Sequence, residues 1–98
     1  MKTGKYVVVR CESAGVHAGK LVSFTAPNIV VLEESRRLWY WHAAQSAFLS
    51  GVARYGLKHK ACKLGAPVTV TLIGACEVIE CTDVAAASIS SCPEHIPS

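Results

Sequence analysis

The alternation of apolar and polar positions sets out most of the elements. "KYVVVRC", Lys5 to Cys11, is a short β-branched run bounded by Gly4 and by "ESAG", which predicts a buried strand. "ESAGVHAGK" then supplies two glycines four apart, Gly15 and Gly19, and reads as a turn followed by a kink or a close backbone approach. "KLVSFTA" sets Leu21, Ser23 and Thr25 against Val22 and Phe24, and Pro27-Asn28 turns the chain into "IVVLEE". Three antiparallel strands in hairpin order account for this part of the chain. Strand character continues through "RRLWYW", because aromatic residues suit a pleated, half-buried surface. Alternation there puts Arg37, Trp39 and Trp41 on one face and Arg36, Leu38 and Tyr40 on the other.

From about Ala43 the pattern changes period. "AAQSAFLSGVARYGLKHK" places Ala44, Phe48, Val52 and Tyr55 at helical steps with Leu49 beside them, which predicts a helix of roughly fourteen residues. Gly56 suits its C-terminal cap, Lys58, His59 and Lys60 follow where cations complement the helix dipole, and Ala47, Ser50 and Gly51 let a neighbour come close. "VTVTLIGACEVIEC" holds two β-rich runs, Val68 to Ile73 and Cys76 to Cys81, either a tight hairpin or one long strand bent at Gly74. Gly-Ala is a weak hairpin turn, which favours the bend. "TDVAAASISS" opens with Thr82 as N-cap, has Asp83 in its first turn and stops before Pro93, a short closing helix. The predicted fold is α+β, a small, mainly antiparallel β-sheet with two helices packed on one face. The order is β-β-β-(β)-α-β-(β)-α, and residues 1–98 form a single domain.

Composition narrows the class. The chain has 98 residues, 51% of them hydrophobic and 17% charged, on the globular side and near the lower size limit for burying an adequate core alone. Oligomerisation is therefore expected. No apolar run reaches the roughly 18 to 20 residues that span a bilayer, and the first apolar run meets Arg10 and Cys11 too soon for a signal peptide, so the reading is a soluble, cytoplasmic protein without a membrane partner. Cys11, Cys62, Cys76, Cys81 and Cys92 form no CxxC pair, and His17, His42, His59 and His95 are scattered. That predicts reduced thiols, no metal site and no cofactor.

Charge is unevenly spread. Residues 35–63 carry Arg36, Arg37, Arg54, Lys58, Lys60 and Lys63 with no carboxylate, whereas residues 64–98 carry Glu77, Glu80, Asp83 and Glu94 with no Lys or Arg. Either the two blocks pair with each other, or the basic middle faces an anion. The net charge is only +3, too small an excess to suit long nucleic acid, so a compact anion fits better. Arginine forks hold phosphate and aromatic faces stack on bases, so Arg36 and Arg37 are candidates for phosphate and Trp39 and Tyr40 for a base. At least one of Trp39 and Trp41 is expected in the core. Ser13, Gly15 and His17 are candidates for a polar and backbone cradle, with Lys58 or Lys60 at the rim. Cys11, Glu12, Ser13 and His17 lie close in sequence, but nucleophilic sites are assembled in space, and "GVHAGK" lacks the spacing of a Walker loop. No catalytic residue is assigned.

The combination of "YVVVRCESAGVHAGKLV", "RRLWYWHAA" and "CEVIECTDVAAASI" resembles a family of small proteins encoded by tailed bacteriophages and prophages. The resemblance spans most of the chain, with "SAGVHAG" and "RRLWYW" as its specific parts. Phages use small oligomeric proteins as sponges that sequester the cyclic or modified nucleotides of defence systems such as CBASS and Thoeris. The resemblance thus implies a homo-oligomeric, non-enzymatic nucleotide sponge in the cytoplasm of the infected host. The alternative is a phage structural or protein-interaction module whose aromatic cluster is an interface; an enzyme acting on the same nucleotides comes third.

Overall fold

The structure is a computed structural model and describes residues 3–45 and 48–96. Three long antiparallel strands come first: β1 (Tyr6–Cys11), β2 (Gly15–Thr25) and β3 (Ile29–Tyr40). A short helix α1 (Leu49–Tyr55), a two-residue strand β4 (Lys63–Leu64), strands β5 (Val68–Ile73) and β6 (Ala75–Glu80) and a closing helix α2 (Asp83–Ser91) follow. The fold is α+β, with the helices over one part of an antiparallel sheet. No helix among the described residues is long and apolar enough to cross a membrane.

The pairings close a ring. β1 pairs with β2 and β6, β2 with β3, and β3 with β5, while β5 runs into β6 through Gly74 alone. The two β-rich runs are thus one bent strand that closes the sheet into a small barrel. Gly74 takes φ +89°, and its bend is pinned from two sides. Gly74 and Ala75 N–H both donate to the Asn28 carbonyl at 3.1 Å, and Glu12 N–H donates to the Gly74 carbonyl at 3.2 Å.

Alternation along β1 divides the apolar residues between two cores. Val7, Val9 and Cys11 point into the barrel with Leu21, Val30, Leu32 and Leu72. Val8 points the other way and packs with Ala18, Leu38 and Leu64 against Leu49, Val52 and Ala53 of α1 and Ile89 of α2. The segment read as a glycine-rich turn is mostly strand, since β2 begins at Gly15 and Gly15 itself pairs with Cys11. Gly19 makes the close approach expected of it. A Cβ there would lie 2.9 Å from the Ser35 Cα and 3.0 Å from the Glu33 carbonyl oxygen.

Opposite Gly19, β3 bulges. The β2–β3 register shifts between Ala18 and Lys20, and Glu34 adopts φ +52°. An extra residue reverses the faces of all that follows. Before the bulge Val30 and Leu32 face the barrel interior; beyond it Arg36 pairs with Ala18 on the helix side and Arg37 pairs with His17 on the barrel side.

The first helix is shorter than its composition suggests. Phe48 is extended at its N-cap, Ala43 bridges to Leu57, and Ala44 N–H donates to the Gly56 carbonyl at 2.9 Å, so Ala43 and Ala44 serve tertiary pairing. Residues 46 and 47, including the small residue Ala47, lie outside the described residues. Leu49, Gly51, Val52 and Ala53 form the buried face of α1, and Phe48, expected in that stripe, is exposed. Gly56 caps the helix with φ +87°, and α2 has the predicted N-cap, the Thr82 hydroxyl accepting from Ala85 N–H at 3.1 Å.

Candidate functional site

The two adjacent arginines have opposite fates. Arg36 is 3% exposed and turned under the helices, where its guanidinium is consumed by backbone carbonyls. Nε donates to Gly65 at 2.6 Å, and Nη1 to Cys92 at 2.8 Å, Ile89 at 3.3 Å and Ser90 at 3.4 Å. It neutralises the negative end of the α2 dipole and ties the chain after β4 to the end of α2. This corrects the assignment of Arg36 beside Arg37 as a phosphate ligand. Arg37 is exposed on the barrel side, and its Nη2 donates to the Ala14 carbonyl at 2.9 Å, leaving Nε and Nη1 available.

Trp39 lies on the same side two residues on and is 69% exposed, while Trp41 is half-buried against the helix-side core. One tryptophan is therefore packed and the other presented. Lys63 Nζ sits 5.3 Å from the centroid of the Trp39 ring, and the His95 ring lies 5.8 Å from it at 57°. Two shallow grooves meet at Arg37 and Trp39. One, of about 360 Å³, is completed by Leu64, Gly65 and His95. The other, of about 230 Å³, is completed by Ser13, Ala14, Gly15, Val16 and Leu38.

Of the remaining candidates, Ser13 and Gly15 lie in the second groove as expected. His17 stands behind it: it is 5% exposed and its Nε2 donates to the Ala14 carbonyl at 2.7 Å. Burial holds its pKa below the ordinary histidine value, with a smaller contribution from Arg37 in the same direction and an opposing one from the Ala14 carbonyl. It orients the turn rather than facing a ligand. Tyr40 lines neither groove; its hydroxyl and ring meet His42, at 3.2 Å and edge to face, which corrects its pairing with Trp39. Lys60 lines a separate groove with His59, Cys62, Glu94 and His95, and Lys58 lines none of these.

Lys63, Leu64, Gly65 and His95 belong to the site without having been singled out. Lys63 was visible only as one of the basic block. His95 arrives through a long-range return, in which Leu64 bridges to Glu94 and His95 N–H donates to the Leu64 carbonyl at 2.9 Å. Among the described residues the one ion pair is Arg10 Nε to Glu77 Oε1 at 3.6 Å, so carboxylates of the last third do not take up the cations around Trp39.

The family described as a domain of unknown function, DUF6948, matches residues 4–89. The chain belongs to the DUF6948 family. No curated protein and no solved structure matches it. Ser88 and His59 resemble a nucleophile and base, but His59 Nε2 lies 2.7 Å from the Ser88 carbonyl oxygen, which only accepts. Nε2 thus carries the proton and cannot take one from the Ser88 hydroxyl 3.4 Å away. No group of three or more His, Cys, Asp or Glu placed to hold a metal ion occurs among the described residues. At one end of the barrel, Arg37 and Trp39 stand together with Lys63 and His95: a flat π face, a guanidinium fork, an ammonium and an imidazole.

Proposed function

We propose that this DUF6948 chain binds a compact nucleotide and holds it without turnover, with Trp39 as the stacking face and Arg37 as the phosphate fork. The observation that carries the reading is the exposure of Trp39, 69%, between two grooves that share Arg37. A large aromatic face left in water beside an arginine fork and a lysine is suited to stacking on a base while the cations meet phosphate. Lys63 and His95 add cationic and ring partners on the first groove, and Ser13 and the Gly15 backbone offer donors on the second. In the phage setting that the sequence resemblance implies, the ligand is a cyclic or modified nucleotide immune signal, and the protein acts as a sponge by equilibrium capture in the host cytoplasm. Each tenfold gain in affinity requires about 1.4 kcal/mol. The grooves are shallow, so one chain covers only part of a nucleotide, and a second copy closing over Trp39 completes the site as a homo-oligomer.

The test is a thermal-shift screen of the purified protein against cyclic di- and trinucleotides and ADP-ribose derivatives, with chromatography of the ligand recovered after heating. The expected result is a shift with one class and intact ligand returned. Trp39→Ala should abolish the shift while the chain stays folded, since the side chain belongs to neither core. Absence of a shift with every nucleotide would refute the reading. Exposed Trp39 and Tyr40 at one strand end favour the second reading, a phage structural or protein-interaction patch. That reading predicts no nucleotide affinity and loss of a protein partner on Trp39→Ala.

A further inference from the structure

The surface beside Trp39 does not end at His95. That residue lines the groove of about 360 Å³ with Arg37 and Trp39, and it also lines a further groove of about 280 Å³ with His59, Lys60, Pro93, Glu94 and Ile96. The two grooves therefore adjoin at one side chain, whose ring lies 5.8 Å from that of Trp39. Both walls of the further groove are anchored. On one side, the 3-10 turn His59–Ala61 is closed by Cys62 N–H donating to the His59 carbonyl at 3.2 Å, and His59 Nε2 ties it to α2 by donating to the Ser88 carbonyl at 2.7 Å. On the other, Glu94 bridges to Leu64, and His95 N–H donates to the Leu64 carbonyl at 2.9 Å. Lys60 and Glu94 are thus presented from fixed backbone.

The two charges are exposed, opposite in sign and not spent on each other, since the one ion pair among the described residues joins Arg10 to Glu77. A simple anion in this groove would meet the Glu94 carboxylate, and a simple cation would meet Lys60. A ribonucleoside on a phosphodiester satisfies both. Its sugar hydroxyls donate to a carboxylate, and its phosphate accepts from an ammonium. Pro93, Ile96 and the imidazole rings give the base an apolar wall. With the His95 ring at the junction, the base in this groove is splayed from the one on Trp39 rather than stacked on it.

We propose that this groove is the second nucleoside subsite of the site at Trp39, and that the ligand is a ribodinucleotide. One base stacks on Trp39 with its phosphate on Arg37. The other nucleoside lies beyond His95, its ribose hydroxyl donating to Glu94 and the linking phosphate meeting Lys60. This assignment rests on the nucleotide reading of Trp39 and Arg37 and narrows it to a ligand with two nucleosides and ribose in the second.

The experiment is isothermal titration of the intact protein with pApA, pGpG, pCpC and pUpU, their 2′-deoxy counterparts and the four nucleoside 5′-monophosphates. At least one ribodinucleotide should bind about tenfold or more tighter than both its deoxy form and its monophosphate, the size of effect that one charged hydrogen bond supplies. Lys60→Gln should weaken the dinucleotide about tenfold and leave the monophosphate unchanged. Glu94→Ala should abolish the preference for ribose over deoxyribose. Both side chains are exposed, so both variants should fold as the parent does. Monophosphates that bind as tightly as dinucleotides, and lose binding in Trp39→Ala, would overturn the second subsite while leaving the nucleotide reading intact. An equal gain for ribo and deoxy forms in Glu94→Ala would show that the carboxylate only repels phosphate, and would overturn it too. No binding of any of these compounds would remove the second subsite together with the reading on which it rests.

Discussion

Arg36→Met and Arg37→Met change neighbouring residues of one strand, and the structure assigns them different consequences. Arg36 donates two short charge-assisted bonds, to Gly65 at 2.6 Å and Cys92 at 2.8 Å, and two longer ones to Ile89 and Ser90. Charged hydrogen bonds contribute about 1.5–3 kcal/mol each, and the carbonyls remain buried when the side chain is replaced. Methionine fills most of the volume and relieves the desolvation of the guanidinium, which offsets part of the loss. The net destabilisation is about 3 kcal/mol, a large share of the roughly 5–15 kcal/mol that holds a domain together. For a chain of this size the melting temperature should fall by roughly 12 °C or more. Arg37 gives up one exposed bond to the Ala14 carbonyl, which His17 still serves, so Arg37→Met should stay within about 0.5 kcal/mol of the parent and lower nucleotide affinity. Urea titrations followed by far-UV circular dichroism, with the nucleotide shift measured on both variants, decide the matter. If Arg36→Met is as stable as Arg37→Met, the account of Arg36 as the tie between the chain after β4 and the end of α2 is wrong.

Three further outcomes follow from local geometry. Gly56→Ala places a Cβ 2.5 Å from Ser88 Cβ at a backbone position with φ +87° and ψ −158°, and should cost at least about 2 kcal/mol of unfolding free energy in a urea titration; a neutral result would contradict the α1–α2 approach. Because burial lowers the folded-state pKa of His17, the unfolded chain binds its proton first, so stability should fall as pH drops from about 6.5 towards the lowered value and level off below it. In His17→Gln that part of the pH dependence should vanish, read from melting temperatures across pH 4 to 8; an unchanged profile would place the titration elsewhere. Native alkylation with iodoacetamide and peptide mapping should modify exposed Cys76 first, while Cys81, whose thiol burial pushes up to about 12, and buried Cys11 and Cys92 react only on unfolding.

What was legible in the sequence was what depends on near neighbours. The β-branched runs marked β1 to β3, the weak Gly74-Ala75 turn marked one bent strand rather than a hairpin, and Thr82 and Gly56 announced the helix ends where they stand. Period-two alternation also separated Arg37 and Trp39 from Arg36 and Leu38 correctly. It could not say which face the helices would cover, because that is set by contacts such as Arg36 to Cys92, 56 residues apart. The length of α1 failed for a related reason. Alanine-rich residues 43–45 favour helix, but Ala43 and Ala44 pair with Leu57 and the Gly56 carbonyl, and tertiary pairing overrides propensity. His95 had no local signal at all, since only the return of the C-terminal segment to Leu64 brings it to Trp39.

The bulge at Glu34 links the core to the site. With unbroken alternation from Val30, even-numbered positions of β3 would face the barrel interior throughout, and Arg36 and Leu38 rather than Arg37 and Trp39 would follow Leu32 to the barrel side. One extra residue opposite Gly19 reverses that order. Leu38 then seals the helix-side core and Arg36 ties down α2, while the residues suited to stacking and phosphate are delivered to the surface at the barrel's end. The same residue pays for this with an unfavourable backbone conformation. The strain at Glu34 and the facing of Arg37 and Trp39 are thus set by the same few backbone atoms.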